Sequence, residues 1–257
     1  MIDIQCIPAF DDNYIWLPGP PGGDTVAIVD PGDPNPVIAF LDQRGLTPEA
    51  ILVTHHHGDH TGGVRELADR YTLPVYGPRG ESIAAVTERV GDGETVTLPA
   101  SGLAFRVLET PGHTRGHVCY VGHGALFCGD TLFTAGCGRL FEGSTGQMYR
   151  SLTRLAGLPD ETEVYCAHEY TLANLRFALV AEPDNADIRA RYEEVTRLRA
   201  AGRSTVPAPL SLEKRTNPFL RSENPHLARA AAAYAGRPLH DPVEVFATVR
   251  AWKDALD

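Results

Sequence analysis

The most informative stretch of the chain is His55-His56-His57-Gly58-Asp59-His60, which directly follows the apolar run Ile51-Leu52-Val53. Neutral imidazole and carboxylate groups are ligands for zinc, iron and manganese. In extended chain, alternate residues point to the same face, so the side chains of His55, His57 and Asp59 can converge. His60 projects at another angle because a predicted helix, residues 61–70, begins directly after it. The alternative interpretation is a solvated turn rich in histidine; the spacing favours a loop that supplies two metal ions.

Three further candidate ligands lie at the ends of predicted strands, where loops carry functional residues. His113 follows the predicted strand 103–109, Asp130 follows 125–127, and His168 follows 163–165. Taken alone, each is more typical of a hydrogen-bonded structural residue, and Asp130 could instead form a turn cap. A closed metal site needs more ligands than one loop can supply, and this ordered set of polar residues provides them.

The order of these residues resembles the metallo-β-lactamase superfamily and, more closely, the glyoxalase II family of hydroxyacylglutathione hydrolases. The resemblance extends from about residue 2 to the C-terminus. It rests on the segments Thr54–Gly63, Gly129–Phe133, Gly136–Arg139, Phe141–Gly143, His168–Thr171, Asn174-Leu175 and Thr216–Leu220. The superfamily motif is shared by many chemistries, whereas the Gly-Cys-Gly segment and the C-terminal region are specific to glyoxalase II.

The fold class that we expect is α+β. Many short strand-like runs with helices between them favour two sheets covered by helices. This agrees with the fold that the resemblance implies, a four-layer αββα metallo-β-lactamase-like sandwich with a smaller C-terminal helical domain. Strand signals stop near Thr171, so we expect a metal-binding catalytic domain over residues 1–171 and an α-helical substrate-binding domain over residues 172–257. The predicted helices are 36–44, 61–70, 144–156, 186–201, 225–235 and 242–256, with 203–210 as a loop.

The resemblance implies two divalent metal ions per chain, with zinc as the expected metal and iron or manganese as alternatives. The first ion would be held by His55, His57 and His113, and the second by Asp59, His60 and His168. Asp130 would bridge both ions, since a carboxylate has two oxygens to share.

Four other residues are candidates near this centre. On spacing alone His117 competes with His113 as a ligand, although the resemblance favours His113. His56 alternates away from its neighbours, so we expect a structural role. Asp30 either orients the ligand loop, as the resemblance implies, or simply ends a strand. Cys137 lies in a tight glycine-flanked turn, and a nucleophilic thiol there is a minor alternative.

The resemblance also implies that Arg139, Tyr170, Arg250 and Lys253 bind glutathione. Arg250 and Lys253, at positions i and i+3, share one face of a predicted helix. The competing explanation for this pair is that basic residues late in a helix complement its dipole. Arg139 stands where relatives commonly carry lysine. Phe141 stands where some relatives carry tyrosine, which removes one hydroxyl contact.

The function implied is that of a thioester hydrolase, a hydroxyacylglutathione hydrolase. It would cleave S-(2-hydroxyacyl)glutathione, with S-D-lactoylglutathione as the expected substrate, to D-lactate and glutathione in the second step of methylglyoxal detoxification. A hydroxide that bridges the metals would attack the thioester carbonyl, with Asp59 and Asp130 as the catalytic residues that orient it. The alternatives are an iron-dependent glutathione persulfide dioxygenase, a β-lactamase or lactonase, a nuclease, and a non-catalytic metal-binding scaffold.

Composition restricts the partners. The net charge of −10 argues against nucleic acid, which needs a concentrated basic surface. No apolar run is long enough for a membrane span, and the N-terminus lacks the features of a secretory signal. The five cysteines have no metal-binding spacing and are expected to be reduced. We therefore expect a cytoplasmic monomer that acts on a small-molecule thioester, with a local basic patch that attracts the anionic substrate.

Overall fold

Two six-stranded mixed sheets form the centre of this computed structural model, which describes residues 2–256. The first sheet contains Asp3–Ala9 (β1), Asn13–Gly19 (β2), Thr25–Val29 (β3), Thr47–Leu52 (β4), Val75–Pro78 (β5) and Glu88–Val90 (β6), in that spatial order. The second contains Thr95–Leu98 (β7), Leu103–Glu109 (β8), Val118–Gly122 (β9) and Ala125–Gly129 (β10). A hairpin follows, Leu132–Phe133 (β11) and Gly136–Cys137 (β12), and then Glu163–Cys166 (β13) and Ala208–Pro209 (β14) extend the second sheet in the order β14-β13-β10-β9-β8-β7.

Helices cover the sheets and form most of the C-terminal part. They are Pro34–Arg44 (α1), Gly58–Thr61 (α2), Val64–Tyr71 (α3), Thr145–Ala156 (α4), Thr171–Ala181 (α5), Ala186–Ala200 (α6), Leu210–Thr216 (α7), Pro225–Ala235 (α8) and Pro242–Asp254 (α9), with a 3₁₀ turn at Pro218–Leu220. Local sequence explains several boundaries. Ser144 and Gln147 form a reciprocal capping box at the start of α4, and Asp241 caps α9 ahead of a proline.

The alternation of side chains along the strands produces the layers. On β2, Tyr14 and Trp16 face the core between the two sheets, where they join residues such as Phe105 and Phe127 of the second sheet. The intervening Ile15 and Leu17 face the opposite way, into a separate core with buried residues of α1 and α3. Both faces of the first sheet are therefore apolar, as expected for a sheet covered on both sides. This arrangement is the predicted αββα sandwich.

The predicted helix over residues 61–70 is wrong in its start and its continuity. The helical turn α2 begins already at Gly58, and Gly62 and Gly63 separate it from α3. These glycines lie against the loop after β3, where a Cβ on Gly62 would be 2.5 Å from the carbonyl oxygen of Gly32. Asp59 therefore lies on a helical turn beside His60, and the extended-chain argument does not apply to it.

The C-terminal part also departs from the prediction. The segment 203–210, predicted as a loop, contains β14, which pairs antiparallel with β13 through Val164–Ala208 and Glu163–Pro209. Strand structure therefore does not stop near Thr171. A two-residue strand is too short to show a periodicity in sequence. Within residues 2–256, no helix combines the length and the apolar composition that a membrane crossing requires.

Candidate functional site

All seven predicted metal ligands meet at one edge of the sandwich. They lie on segments that follow β4 of the first sheet and β8, β10 and β13 of the second sheet. Potential ligand atoms within 4.8 Å of one another include those of His55, His57 and His113, and those of Asp59, His60 and His168. These are the two sets that the sequence analysis assigns to two ions. Ligation itself stays a prediction.

The first set consists of three imidazoles. The Nδ1 atom of His57 lies 3.1 Å from Nε2 of His55 and 3.1 Å from Nε2 of His113. Burial lowers the pKa of His55 well below its ordinary value, and it also lowers the pKa values of His57 and His113. These rings are therefore neutral near pH 7, which is the form that binds a metal ion.

The second set combines one carboxylate with two imidazoles. Oδ2 of Asp59 lies 3.4 Å from Nε2 of His60 and 3.4 Å from Nε2 of His168. Interactions with the imidazoles of His168 and His60 lower the pKa of Asp59, although burial opposes the shift. Burial lowers the pKa of His168, but interactions with the carboxylates of Asp130 and Asp59 outweigh burial and raise the value to about 10. This part of the site favours a positive charge between its carboxylates.

Asp130 lies between the two sets. Its Oδ2 is 3.3 Å from Nε2 of His113, while its Oδ1 is 3.3 Å from Nε2 of His60 and 3.4 Å from Nε2 of His168. Burial raises the pKa of Asp130, but electrostatic interactions with His60 and His168 outweigh burial, hold the pKa well below its ordinary value and keep the carboxyl group ionised. One oxygen thus faces each set, as a bridging ligand requires.

The geometry fits bound metal ions. Bonds of about 2.0–2.1 Å around a tetrahedral ion place neighbouring ligand atoms about 3.3–3.4 Å apart. Five of the close pairs given above, such as Nε2 of His113 with Oδ2 of Asp130, are separated by 3.1–3.4 Å. Nε2 of His60 and Oδ1 of Asp130 are buried without a hydrogen-bond partner. Such orphaned polar atoms in an otherwise paired cluster indicate a missing partner, and metal ions would satisfy both atoms.

The outward nitrogens of three predicted ligands are hydrogen-bonded, which fixes ring orientation and proton position. Nδ1 of His60 lies 3.1 Å from Oδ2 of Asp30, and Nδ1 of His168 lies 2.8 Å from Oδ1 of Asp12. Nδ1 of His113 donates to the carbonyl oxygen of Arg139 at 2.8 Å. Sequence reasoning missed Asp12. The polar run Asp11-Asp12-Asn13 in the turn between β1 and β2 was the available signal.

Asp30 lies where it can orient the ligand loop. Its carboxylate accepts hydrogen bonds of 2.7 Å from both the backbone N–H and the hydroxyl of Thr54, beside its contact with His60. The residue has a left-handed backbone with φ of 50°. Aspartate tolerates this region better than most residues, although at some cost. Asp30 therefore connects the end of β3 to both ends of the histidine-rich loop.

Both ring nitrogens of His117 are engaged in hydrogen bonds outside the predicted ligand sets. Its Nε2 accepts the backbone N–H of Asp130 at 3.1 Å, and its Nδ1 lies 3.1 Å from the hydroxyls of Thr110 and Thr131. It supports the backbone of Asp130, whereas His113 lies among the ligand candidates. His56 lies between two carboxylates, 2.9 Å from Glu81 and 3.2 Å from Glu142.

A cavity of about 450 Å³ opens beside this cluster. The four residues predicted to bind substrate all line it, next to His113 and Asp130: Arg139, Tyr170, Arg250 and Lys253. The ring of Tyr170 stacks on that of His168 with centroids 4.8 Å apart. Phe141 is largely exposed at the rim and packs edge-on against His57 and His113.

Arg250 and Cys137 of the cavity wall interact with each other. Arg250 donates to the carbonyl oxygen of Cys137 at 3.1 Å, pairs with Asp254 at 2.8 Å and lies over the ring of Phe219. Burial raises the pKa of the Cys137 thiol to about 11 although Arg250 opposes the shift. The thiol is therefore protonated at neutral pH, which disfavours the minor alternative of a cysteine nucleophile.

Two family models match consecutive parts of the chain. A family model described as the metallo-beta-lactamase superfamily matches residues 13–168, and one described as the hydroxyacylglutathione hydrolase C-terminus matches residues 169–256. A hydroxyacylglutathione hydrolase from Nitrosomonas eutropha is 51% identical over 254 residues, which cover 99% of each chain.

Solved structures show the same fold. ETHE1 from Myxococcus xanthus aligns with a TM-score of 0.66 and 25% identity over 99% of each chain. TTHA1623 in a di-iron-bound form aligns with a TM-score of 0.59 and 27% identity over 83% of this chain and 98% of that one. The chain therefore belongs to the hydroxyacylglutathione hydrolase (glyoxalase II) family of the metallo-β-lactamase superfamily.

Proposed function

We propose that the chain hydrolyses S-(2-hydroxyacyl)glutathione thioesters, with S-D-lactoylglutathione as the substrate and D-lactate and glutathione as the products. This is the second step of methylglyoxal detoxification. The observation that carries the proposal is the cavity in which three basic side chains, Arg139, Arg250 and Lys253, lie beside His113 and Asp130 of the cluster. Such a cavity can hold an anionic tripeptide by its carboxylates while the thioester reaches the reacting groups.

The overall charge of −10 would repel an anionic substrate, and the basic cavity supplies a local attraction that opposes this repulsion. Charges separated by more than about 8–10 Å are largely screened at physiological salt. Arg250 and Lys253 are 3% and 6% exposed, so their charges act inside the cavity more than at the surface. Arginine can hold a carboxylate with two parallel hydrogen bonds, and this geometry suits the carboxylate ends of glutathione.

The cofactors that we propose are two divalent ions held by the seven residues of the cluster, with zinc as the expected metal and iron or manganese as alternatives. A structural relative solved in a di-iron-bound form is consistent with a site for two ions. When bound, such ions supply hydroxide at neutral pH and polarise the thioester carbonyl.

The side chains of this protein would orient the reacting groups. We propose that Asp130 and Asp59 hold the attacking oxygen in place, and Asn13 keeps Asp59 in position through a 3.1 Å hydrogen bond to Oδ2. The departing group is a thiolate, whose conjugate acid has an ordinary pKa of about 8.5. It needs little protonation, so no separate general acid is required near the cavity.

The test is hydrolysis of S-D-lactoylglutathione by the purified protein, followed by thioester absorbance, with metal content measured on the same sample. We expect turnover at about two metal ions per chain and loss of turnover on chelation. A fully metallated sample without turnover would refute the proposal, and oxygen uptake with glutathione persulfide would then be assayed. An Asp130→Ala variant with full metal content and normal turnover would refute the role of that residue.

Three further features are part of the proposal. We propose that residues 1–171 form the metal-binding catalytic unit and that residues 172–257 form the substrate-binding unit. We also propose that the protein is a monomer and acts in the cytoplasm. Size-exclusion chromatography with light scattering would contradict the monomer if it gave the mass of two chains.

A further inference from the structure

The β11–β12 hairpin, residues 132–137, connects the two functional parts of the site. It begins two residues after Asp130 of the metal cluster and ends two residues before Arg139 of the cavity. The chain then passes so close to Asp130 that a Cβ on Gly138 would lie 2.0 Å from the carbonyl oxygen of Asp130. A displacement of the hairpin would therefore move Asp130 and Arg139 together.

Two buried side chains of the C-terminal part hold this hairpin. Oε2 of Glu213 on α7 accepts the backbone N–H of Ala135 at 2.8 Å. Nδ2 of Asn217 donates to the carbonyl oxygens of Phe133 at 3.0 Å and Gly136 at 2.9 Å. The same Nδ2 also lies 3.1 Å from Oε2 of Glu213, which links the two side chains.

The hairpin depends on this support because its turn is strained. Ala135 has a φ of 56°, a left-handed conformation that is unfavourable for a residue with a Cβ. Residues in such conformations persist only where their surroundings hold them. Glu213 and Asn217 are both fully buried, so water does not compete for these hydrogen bonds.

We propose that Glu213 and Asn217 are positioning residues for the hydrolase reaction, which fix the β11–β12 hairpin and thereby the placement of Asp130 and Arg139. This inference rests on the proposed thioesterase function. The C-terminal helices then do more than line the substrate cavity, since they also set the geometry of the metal cluster. Arg250 of α9 adds to this link through its hydrogen bond to Cys137 at the end of the hairpin.

The decisive variant is Glu213→Leu, which removes the acceptor for Ala135 at similar side-chain size. We expect kcat for S-D-lactoylglutathione to fall about 10–100-fold, because a misplacement of about 1 Å can cost about 100-fold in rate. Because Arg139 of the substrate cavity moves with the hairpin, KM should also rise, but by a smaller factor than the fall in kcat. Glu213→Gln keeps an oxygen acceptor and should restore kcat to within about threefold of the wild type.

The matched control is Thr216→Val. Thr216 lies on the same helix and is fully buried, and its hydroxyl donates to the carbonyl oxygen of Leu212. We expect this variant to retain wild-type kcat. If Glu213→Leu does not yield folded protein, Asn217→Ala is tested by the same criteria, because it removes both donors to the hairpin carbonyls.

Amide hydrogen exchange and metal content distinguish a local loss of hairpin positioning from unfolding of the whole chain or loss of the metal ions. We expect faster amide exchange in the peptide that contains residues 131–139, unchanged exchange in β2 and β8, and an unchanged number of metal ions. Wild-type kcat in Glu213→Leu would overturn the inference, as would a loss of kcat explained by metal loss or by faster exchange throughout the chain. A wild-type protein without thioesterase activity would instead refute the proposed function.

Discussion

Glu213 should make the stability of the protein fall as the pH rises. Its side chain is fully buried, and burial raises the pKa of its carboxyl group from 4.5 to about 7. Hydrogen bonds from Ala135 and Asn217 and the charge of Arg191 oppose this shift without cancelling it. The folded protein therefore keeps the proton over a pH range in which the unfolded chain has already lost it.

The sign and the size follow from proton linkage. Between pH 4.5 and 7 the folded state binds more protons than the unfolded state, so the free energy of unfolding decreases with rising pH. Each pH unit in this range costs about 1.4 kcal/mol. Between pH 5.5 and pH 8 the contribution is about 2 kcal/mol, because the loss is complete once the pH passes the folded-state pKa.

The Glu213→Gln variant isolates this contribution, since glutamine does not titrate while all other groups are retained. For a chain of this size, about 2 kcal/mol corresponds to a shift in Tm of about 4–8 °C. We expect the difference in Tm, variant minus wild type, to be larger by this amount at pH 8 than at pH 5.5. Differential scanning calorimetry of metallated samples would measure it. A difference that is constant with pH, or that decreases, would refute the reasoning.

Three other predictions concern the metal cluster and the cavity. Chelation should abolish hydrolysis and lower Tm, with both restored by added zinc, because Nε2 of His60 and Oδ1 of Asp130 are buried and have no hydrogen-bond partner without a metal. An unchanged Tm measured by calorimetry would contradict this. Asp30→Asn should weaken binding of the ion near His60 about 10–100-fold, measured by competition with a chromophoric chelator, and equal affinity would count against an orienting role. Arg250→Ala should raise KM for S-D-lactoylglutathione about 10–100-fold, since hydrogen bonds to charged groups contribute about 1.5–3 kcal/mol. The surface variant Arg229→Ala should leave KM unchanged, and equal KM values for both variants would argue against a carboxylate contact at Arg250.

Strong local patterns predicted most of the architecture. The strand Leu103–Glu109 and the helix Pro225–Ala235 have the predicted bounds, because alternation and helix-capping residues are local signals. The helix α5 was not predicted. Its apolar residues occur on all sides, so the helical periodicity is weak. The prediction of one helix over residues 61–70 was wrong because Gly62 and Gly63 pack closely against the loop at Gly32. No local sequence pattern reveals this contact.

In the candidate site, too, local sequence patterns predicted some residues, whereas long-range contacts determined the others. The histidine-rich loop and the single residues at strand ends could be identified from sequence because their residue types and spacing are visible within short segments of the chain. Metal ligation by these residues stays a prediction, although the structure brings all seven together. Asp12 was missed, because the polar run that contains it does not reveal its contact with His168 across 156 positions of the chain.

Residue types and their spacing, read along the chain, thus determined the fold class, the family and the identity of the candidate ligands. Only the tertiary structure decided which other side chains position the candidate ligands and the β11–β12 hairpin beside them. Glu213 and Ala135 are 78 positions apart, and Asn217 and Gly136 are 81 apart, yet each pair forms a buried hydrogen bond. Such contacts depend on how the helices pack on the sheets. A sequence records the donors and acceptors, whereas the packing of the whole chain determines which of them meet.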